Sequence, residues 1–179
     1  MTAPPPERGR VVVGVSSSLA GLAALRRGAL EARRDGRTLE AVLAWEPPEG
    51  GALYVKRPDS EWAAHWAREA RQRLLGAFDE ALGGLPTDLH LVCRVIRNAP
   101  GPALCAVAHR PDDLLVLGAA PPAGRLRARL HRRPVARYVL AHAGCPVLTV
   151  PGPRLLPGEA RLLRRTTPPT DPDRHETAA

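Results

Sequence analysis

The sequence predicts an α/β fold in which a parallel β-sheet is covered by helices on both faces. Short apolar runs alternate along the chain with helix-length amphipathic segments, and such alternation favours parallel strands joined by right-handed crossovers. Some runs are continuously apolar, as in Val11-Val12-Val13, which is typical of strands buried on both faces. Glycine or small polar residues interrupt or follow the first and fourth runs, where α/β proteins place ligand loops.

Capping and turn residues divide the first half of the chain. Residues 11–15 are the first predicted strand, and the serines that follow can cap a helix over residues 19–34. Asp35-Gly36 ends that helix, and residues 39–45 are the second strand. Prolines and glycines predict a loop at residues 46–59, after which a long helix with one apolar stripe runs from 60 to 82.

The second half continues the alternation. Gly83-Gly84 ends the long helix, and a third strand is predicted at 88–95. The later elements are a short helix from Pro102 to about 110, a strand at 114–117, a helix around 134–143 and a fifth strand at 147–150. The predicted domain covers residues 10–151. Residues 1–9 and the Pro-, Arg- and Thr-rich residues 152–179 can bury almost nothing, so we expect both segments to be disordered.

Composition restricts the class of protein. With 179 residues and 44% hydrophobic content the chain suits one domain, and because only 3% is aromatic, Leu, Val and Ala must fill its core. We find no apolar run near the roughly 20 residues of a membrane span and no signal-peptide core, so we expect a cytoplasmic protein without a membrane partner. Cys93, Cys105 and Cys145 form no Cys-x-x-Cys pair and are interpreted as small buried hydrophobes.

The chain is strongly basic, with 26 Lys and Arg residues against 18 Asp and Glu residues and a net charge of +8. A basic surface attracts phosphates. The densest cluster lacks interleaved aromatic residues, zinc-ligand spacing and a helix-turn-helix pattern, which argues against a nucleic-acid partner. Its members are Arg125, Arg127, Arg129, Arg132, Arg133 and Arg137.

Two blocks of the sequence resemble the universal stress protein family. Val13 to Ser18 match a strand written roughly Val-x-Val-Asp-Gly-Ser, and Asp113 to Val150 match a Gly-x-x-Gly-x9-Gly-(Ser/Thr) loop followed by a helix. The junction His142-Ala-Gly-Cys-Pro146-Val147 is the closest match to the family's His-Ala-x-Cys-Pro-Val. The resemblance spans about residues 10–151. It implies a flavodoxin-like (adenine nucleotide alpha hydrolase-like) three-layer sandwich with a five-stranded sheet in the order 3-2-1-4-5.

The family is often dimeric, and some of its members bind ATP whereas others do not. Its precedent places the fifth strand at the dimer edge. The sequence from Val147 to Val150 has the apolar, β-branched character that edge-to-edge pairing requires. The resemblance therefore implies a homodimer formed through this strand.

In the implied strand order the first and fourth strands are neighbours, and a ligand would bind beyond their carboxyl ends. The resemblance places Gly14 and Val15 beside a nucleotide base, and Ser16 at the family's acidic position. Four further positions follow in the same way: Ala44 at the adenine contact, Leu117 and Gly118 at the start of the phosphate loop, and Val135 at a matching valine. Gly124 is a displaced substitute for the family's second glycine, and Arg133 occupies the place of the third.

The phosphate loop departs from the family pattern. Pro121, at the second glycine, has no N–H to donate, and Arg133-Pro134 replaces the Gly-Ser pair. We therefore expect a non-catalytic regulatory binding protein of the stress response with a degenerate nucleotide site and no cofactor. The alternative is an ATP-binding stress sensor in which the arginine-rich loop grips phosphate through guanidinium forks.

The remaining candidates favour structural roles, so neither a catalytic residue nor a metal ligand is predicted. His142 lies in the last turn of a helix, where a cation complements the helix dipole. His65 is followed at i+4 by Glu69, which favours a helical pair over a zinc site. Trp62 and Trp66 share one helix face, and core packing is favoured there over a partner groove. Asp112-Asp113 precede the fourth strand, where turn chemistry suits them.

Overall fold

The computed structural model describes residues 9–47, 60–119 and 134–153. Most of the two predicted disordered segments, and the loop residues Pro121, Gly124 and Arg133, lie outside the described residues. The described elements are β1 (Val11–Gly14), α1 (Leu19–Asp35), β2 (Leu39–Trp45), α2 (Ser60–Leu82), β3 (Leu91–Arg97), α3 (Pro100–Val107), β4 (Leu114–Ala119), α4 (Pro134–His142) and β5 (Val147–Pro151).

The five strands form one sheet in the order β3-β2-β1-β4-β5, and every pair is parallel. This confirms the predicted fold class and strand order. Val11 lies beside Leu39 on one side and Leu114 on the other, so β1 is the central strand and β4 is its neighbour. The carboxyl ends of β1 and β4 therefore meet where the strand order reverses.

Each face of the sheet carries its own hydrophobic core. Helices α1 and α2 cover one face, where Leu25, Leu74 and Phe78 are almost completely buried against the odd-numbered residues of β1. Helices α3 and α4 cover the other face, where Leu104 and Val139 belong to the same buried cluster as Val12 of β1. Because both faces of β1 are covered, its residues are apolar without alternation.

Several element boundaries differ from the sequence prediction by one to three residues, and the starts of β3 and α3 are two of them. Strand β3 begins at Leu91 rather than residue 88, since its first pair with β2 is Leu91 with Leu39. Before it, the Asp88 carboxylate accepts hydrogen bonds from the Arg33 side chain. Helix α3 begins at Pro100 rather than Pro102, with a proline in its first turn, where a missing N–H costs no helical hydrogen bond.

The amino-terminal end of the sheet holds a cluster of ion pairs. The Arg10 guanidinium lies 2.7 Å from Asp113 Oδ2 and 2.8 Å from Glu40 Oε2, and both carboxylates are almost completely buried. Arg94 pairs with the other oxygen of Glu40. This cluster lies at the opposite end of the strands from the predicted ligand site. Among the described helices, none is both long enough and apolar enough to span a bilayer.

Candidate functional site

A cavity of about 300 Å³ opens at the carboxyl ends of the central strands. The ends of β1, β2 and β4 form its floor, and α2, α3 and α4 contribute side chains from above. Its volume lies at the lower end of the range for ligand pockets, which is about 300 to 1,000 Å³. The parallel sheet therefore provides a concave site at the place where α/β folds bind ligands.

Every predicted site residue that the structure describes lines this cavity. They come from β1 and the loop after it, from β2, from β4 and from α4, so the fold brings together positions that are far apart in sequence. They are Gly14, Val15, Ser16, Ala44, Leu117, Gly118 and Val135. The other two predicted residues, Gly124 and Arg133, lie outside the described residues. What these positions bind stays a prediction.

Sequence reasoning missed half of the lining. Ser17 and Leu43 stand next to predicted residues and could have been found by extending the matched blocks. Arg73 and Leu104 lie on α2 and α3, where the sequence shows only helix periodicity, so no local signal marks them as site residues. The additional lining residues are Ser17, Val42, Leu43, Arg73, Pro100, Leu104 and Ala136.

The loop from β1 to α1 is fixed by serine hydroxyls. Ser18 is the N-cap of α1, and its Oγ accepts a hydrogen bond of 3.0 Å from the Gly21 N–H. Ser16 Oγ lies 3.0 Å from Ser18 Oγ. The predicted capping role is therefore observed, and the position that the family resemblance marks as acidic carries an exposed hydroxyl.

Gly118 is needed for packing as well as for access to the cavity. A Cβ at this position would lie 2.5 Å from the backbone carbon of Ala20 and 2.7 Å from the Gly21 nitrogen. Those distances are too short for any side chain, so only glycine lets the first turn of α1 approach the end of β4. One glycine thus serves both the helix–strand contact and the floor of the cavity.

Arg73 is the charged member of the described lining, which otherwise consists of apolar residues, glycines and two serines. None of the described lining residues is Asp, Glu, His or Cys. Among the described residues there is likewise no cluster of three such side chains able to hold a metal ion. The described cavity therefore provides hydroxyl groups and a guanidinium but neither a carboxylate nor an imidazole.

The three cysteines are unpaired, lie partly buried and do not line the cavity. Burial raises the pKa of each thiol, Cys93, Cys105 and Cys145, above its ordinary value. Cys145 Sγ also lies 3.6 Å from the Ala108 carbonyl oxygen. A thiol with a raised pKa is a poor nucleophile, because the thiolate is the reactive form.

The other sequence candidates have local partners. His142 Nδ1 lies 2.8 Å from the Tyr138 carbonyl oxygen, and the two rings stack at 4.1 Å. His65 Nε2 lies 3.9 Å from Glu69 Oε1, at the helical spacing expected from sequence. Trp66 packs against the core beneath α2, whereas Trp62 is 45% exposed. Core packing therefore accounts for one of the two tryptophans.

Comparison with known proteins gives a family and a set of similar folds. The model of the universal stress protein family matches residues 7–151. Universal stress protein UspA from Lactobacillus plantarum is 23% identical over 82% of this chain and 99% of its own, with a TM-score of 0.52. A universal stress protein from Archaeoglobus fulgidus is 21% identical over 79% of this chain and 98% of its own, with a TM-score of 0.51.

A universal stress protein from Archaeoglobus fulgidus has also been solved in complex with dAMP. It is 20% identical over 80% of this chain and 98% of its own, with a TM-score of 0.48. No curated protein matches the chain. The family model spans most of the sequence, and the strand order agrees with the one expected for the family. The chain therefore belongs to the universal stress protein family.

Proposed function

We propose that this protein is a regulatory binding protein of the stress response that acts without turnover, and that its cleft is a degenerate nucleotide site. The observation that carries the proposal is the make-up of the cavity. Its apolar lining suits a flat ring, but Ser16 supplies a hydroxyl where the family pattern has an acidic residue. A serine hydroxyl becomes a nucleophile when a neighbouring base such as a carboxylate or an imidazole takes its proton, and the described lining contains neither beside Ser16 and Ser17.

The described residues fit a triphosphate with Mg²⁺ poorly. Magnesium prefers carboxylate and phosphate oxygens, and the described lining offers no carboxylate for it. Gly118, the first glycine of the family's phosphate loop, is pressed against the α1 backbone. We therefore expect ATP and Mg²⁺ to bind weakly or not at all.

A second candidate function is an ATP-binding stress sensor. It is favoured by the position of Gly118 and Val135, which flank the segment that contains the arginine-rich loop and both line the cavity. In the sensor, arginines between these two positions would bind the phosphate. Arginine forks grip phosphate oxygens in pairs.

Thermal unfolding with and without millimolar ATP and Mg²⁺ separates the two functions. A ligand present at 100 times its Kd stabilises the folded state by about 2.7 kcal/mol, which raises the melting temperature by a few degrees in a domain of this size. The degenerate site predicts no such rise. A rise of several degrees that is lost on replacing Arg133 with alanine would contradict it and favour the sensor.

Absence of turnover is tested on the same sample. Incubation with ATP and Mg²⁺ for several hours, followed by quantification of ADP and inorganic phosphate, should give the rate of the buffer blank. Product formed in proportion to protein concentration would overturn the non-catalytic part of the proposal.

A further inference from the structure

Strand β3 lies at one edge of the sheet and pairs only with β2 among the described strands. The Leu39 N–H donates to the His90 carbonyl and the Asn98 N–H donates to the Trp45 carbonyl, so the even-numbered residues of this segment face β2. The backbone groups of successive residues point to opposite sides of a strand. The N–H and C=O groups of the odd-numbered residues, from 91 to 97, therefore point to the free edge. An edge of this kind can accept one more strand.

The side of this edge that lies under α2 is basic. Arg71 of α2 lies close to Cys93 of β3: burial raises the pKa of the thiol, and the positive charge of Arg71 acts against that rise. The residues one turn away from Arg71 on the helix surface are Ala67, Arg68, Leu74 and Leu75. None of the four is acidic, and Arg68 and Arg71 are both exposed. Residues 89–111, which include all of β3, contain neither Asp nor Glu.

The opposite face of β3 offers an apolar surface instead of a net charge. Val92 is only partly buried and lies in neither of the two described cores. Arg94, on the same face, is half-exposed, but its guanidinium pairs with the buried Glu40, so the fold balances its charge. An apolar side chain placed beside Val92 therefore buries surface that the fold leaves in contact with water.

We propose that the free edge of β3 binds an extended peptide segment of a partner protein, in which acidic residues alternate with apolar ones. The backbone of the segment continues the sheet, and its carboxylates meet Arg68 and Arg71 on the α2 side. Its apolar side chains cover Val92 on the other side, because successive side chains of a strand point to opposite faces. The inference goes beyond the proposed function, since no residue of β3 lines the described cavity.

A second copy of this chain suits the edge less well than an acidic partner. Pairing β3 with its own copy brings the arginines of two α2 helices to the same edge, and like charges across a strand pair are destabilising. Charged side chains beside an edge strand also discourage indiscriminate pairing. The same arginines that repel a copy attract a segment of opposite charge, which makes the edge selective.

Fluorescence anisotropy on the full chain tests the inference. The probe is a capped, labelled peptide in which glutamate and valine alternate over seven residues, the length of β3. It should bind at micromolar protein concentration and low ionic strength, and bind less as salt screens the charges. A peptide that alternates lysine and valine should not bind, and an all-glutamate peptide should bind more weakly, because it lacks the apolar face and favours strand structure less.

Arg71→Glu should weaken binding of the glutamate–valine peptide about fivefold, the scale of one exposed ion pair. Arg34→Glu is the matched control, since Arg34 is an exposed arginine on α1, a helix that packs on β1, β4 and β5. Circular dichroism checks that both variants are folded. A loss shared equally by the two variants would show that the peptide responds to net charge alone and would overturn the inference.

Amide hydrogen exchange followed by NMR identifies the edge itself. In the free protein the Arg94 amide, which is bonded to β2, should exchange more slowly than the Cys93 and Val95 amides. The peptide at about ten times its Kd should slow Cys93 and Val95 by about tenfold. No change at these two amides, or no binding to the wild type, would overturn the inference. The ATP and Mg²⁺ melting experiment judges the proposed function separately, because the cavity and the β3 edge share no residue of β3.

Discussion

At the amino-terminal end of the sheet, the Asp113 carboxylate binds Arg10, which precedes β1, and Arg110, which follows α3. It accepts hydrogen bonds from the Arg10 backbone N–H at 2.9 Å, from Arg10 Nε at 3.2 Å and from the Arg110 N–H at 3.2 Å. The side chain is completely buried. Breaking a buried ion pair by removing one partner is costly, because the other charge stays behind without its counterion.

Asp113→Asn should therefore lower the free energy of unfolding by about 3 kcal/mol, the lower end of the range for broken buried pairs, because Glu40 still pairs with Arg10. Urea unfolding measures this change through the transition midpoint. Asp88→Asn is the control: its pair with Arg33 is exposed, and the midpoint should hardly move. Equal effects of the two substitutions would show that the Arg10 cluster contributes no more than a surface pair.

The same carboxylate predicts how the free energy of unfolding falls at low pH. Burial alone would raise the pKa of Asp113, but hydrogen bonds from the Arg10 side chain and from the Arg10 and Arg110 backbones outweigh it, so the pKa is lowered from its usual 3.8. A lowered pKa means that the stabilisation is present above about pH 4 and is lost as the pH falls through the folded-state value. In Asp113→Asn this part of the pH dependence should disappear from unfolding curves measured between pH 5 and pH 2.

The sequence predicted turn chemistry for Asp113 but not its ion pair. The turn is local, since Arg110 donates its N–H to the same side chain three residues away. Arg10 is 103 residues away in sequence, and only the pairing of β1 with β4 brings the two together. Arg73 was missed for the same reason, because α2 reaches the cavity only after the sheet has formed.

At the scale of elements, local signals predicted where helices and strands occur, and tertiary contacts decided some of their ends. Ser18 and Gly36 cap α1 as expected, and the Gly36 φ of 61° is the left-handed conformation that glycine favours. The start of β3 was predicted less accurately than the caps of α1, because pairing with β2 begins only at Leu91. Helix caps are formed by residues that are adjacent in sequence, so they can be predicted locally. The ends of a strand depend on its pairing with another strand.

The contact between α1 and β4 predicts a difference between two cavity glycines. In Gly118→Ala the new methyl group would meet the Ala20 backbone at 2.5 Å, whereas in Gly14→Ala it would meet the Leu104 Cδ1 atom at 2.9 Å. Backbone atoms cannot turn aside, but the end of a leucine side chain can change rotamer. We expect Gly118→Ala to destabilise the protein by about 2 kcal/mol through overpacking, and Gly14→Ala by clearly less.

Differential scanning calorimetry of the two glycine variants checks this order. The melting temperature of Gly118→Ala should fall well below that of Gly14→Ala. The reverse order would mean that α1 yields more easily than α3, and that the first turn of α1 is not held in place by the sheet.

Across the whole molecule, the two ends of the parallel strands have different roles. The amino-terminal end is closed by the Arg10 ion pairs, and the carboxyl end opens into the cavity. The buried ion pairs are thus at the opposite end of the sheet from Arg73, the charged residue of the described cavity lining. The two outer strands of the sheet are β3 and β5; α2 packs against β3 and α1 packs against β5.

Strand β5 is the surface through which we propose that the protein forms a homodimer. The Pro146 carbonyl accepts from the Leu115 N–H, and the Gly152 N–H donates to the Ala119 carbonyl, so the even-numbered residues of this segment face β4. In a parallel strand the backbone groups of successive residues point to opposite sides. The Thr149 N–H therefore points to the free edge, and Thr149 is exposed.

Thr149→Pro should halve the molar mass measured by light scattering after size exclusion, because proline removes the N–H that would donate to a carbonyl oxygen of a partner strand at the edge. The bonds from β5 to β4 come from its even-numbered residues, so circular dichroism should still show a folded α/β protein. Thr149→Val keeps the N–H and should remain dimeric. A wild-type chain that elutes as a monomer at micromolar concentration, or a Thr149→Pro chain that stays dimeric, would move the interface away from β5. In this proposal, pairing at the edge depends on the backbone N–H of residue 149 and not on its side chain. Because valine changes the side chain alone and proline also removes the N–H, comparing the two variants separates these contributions.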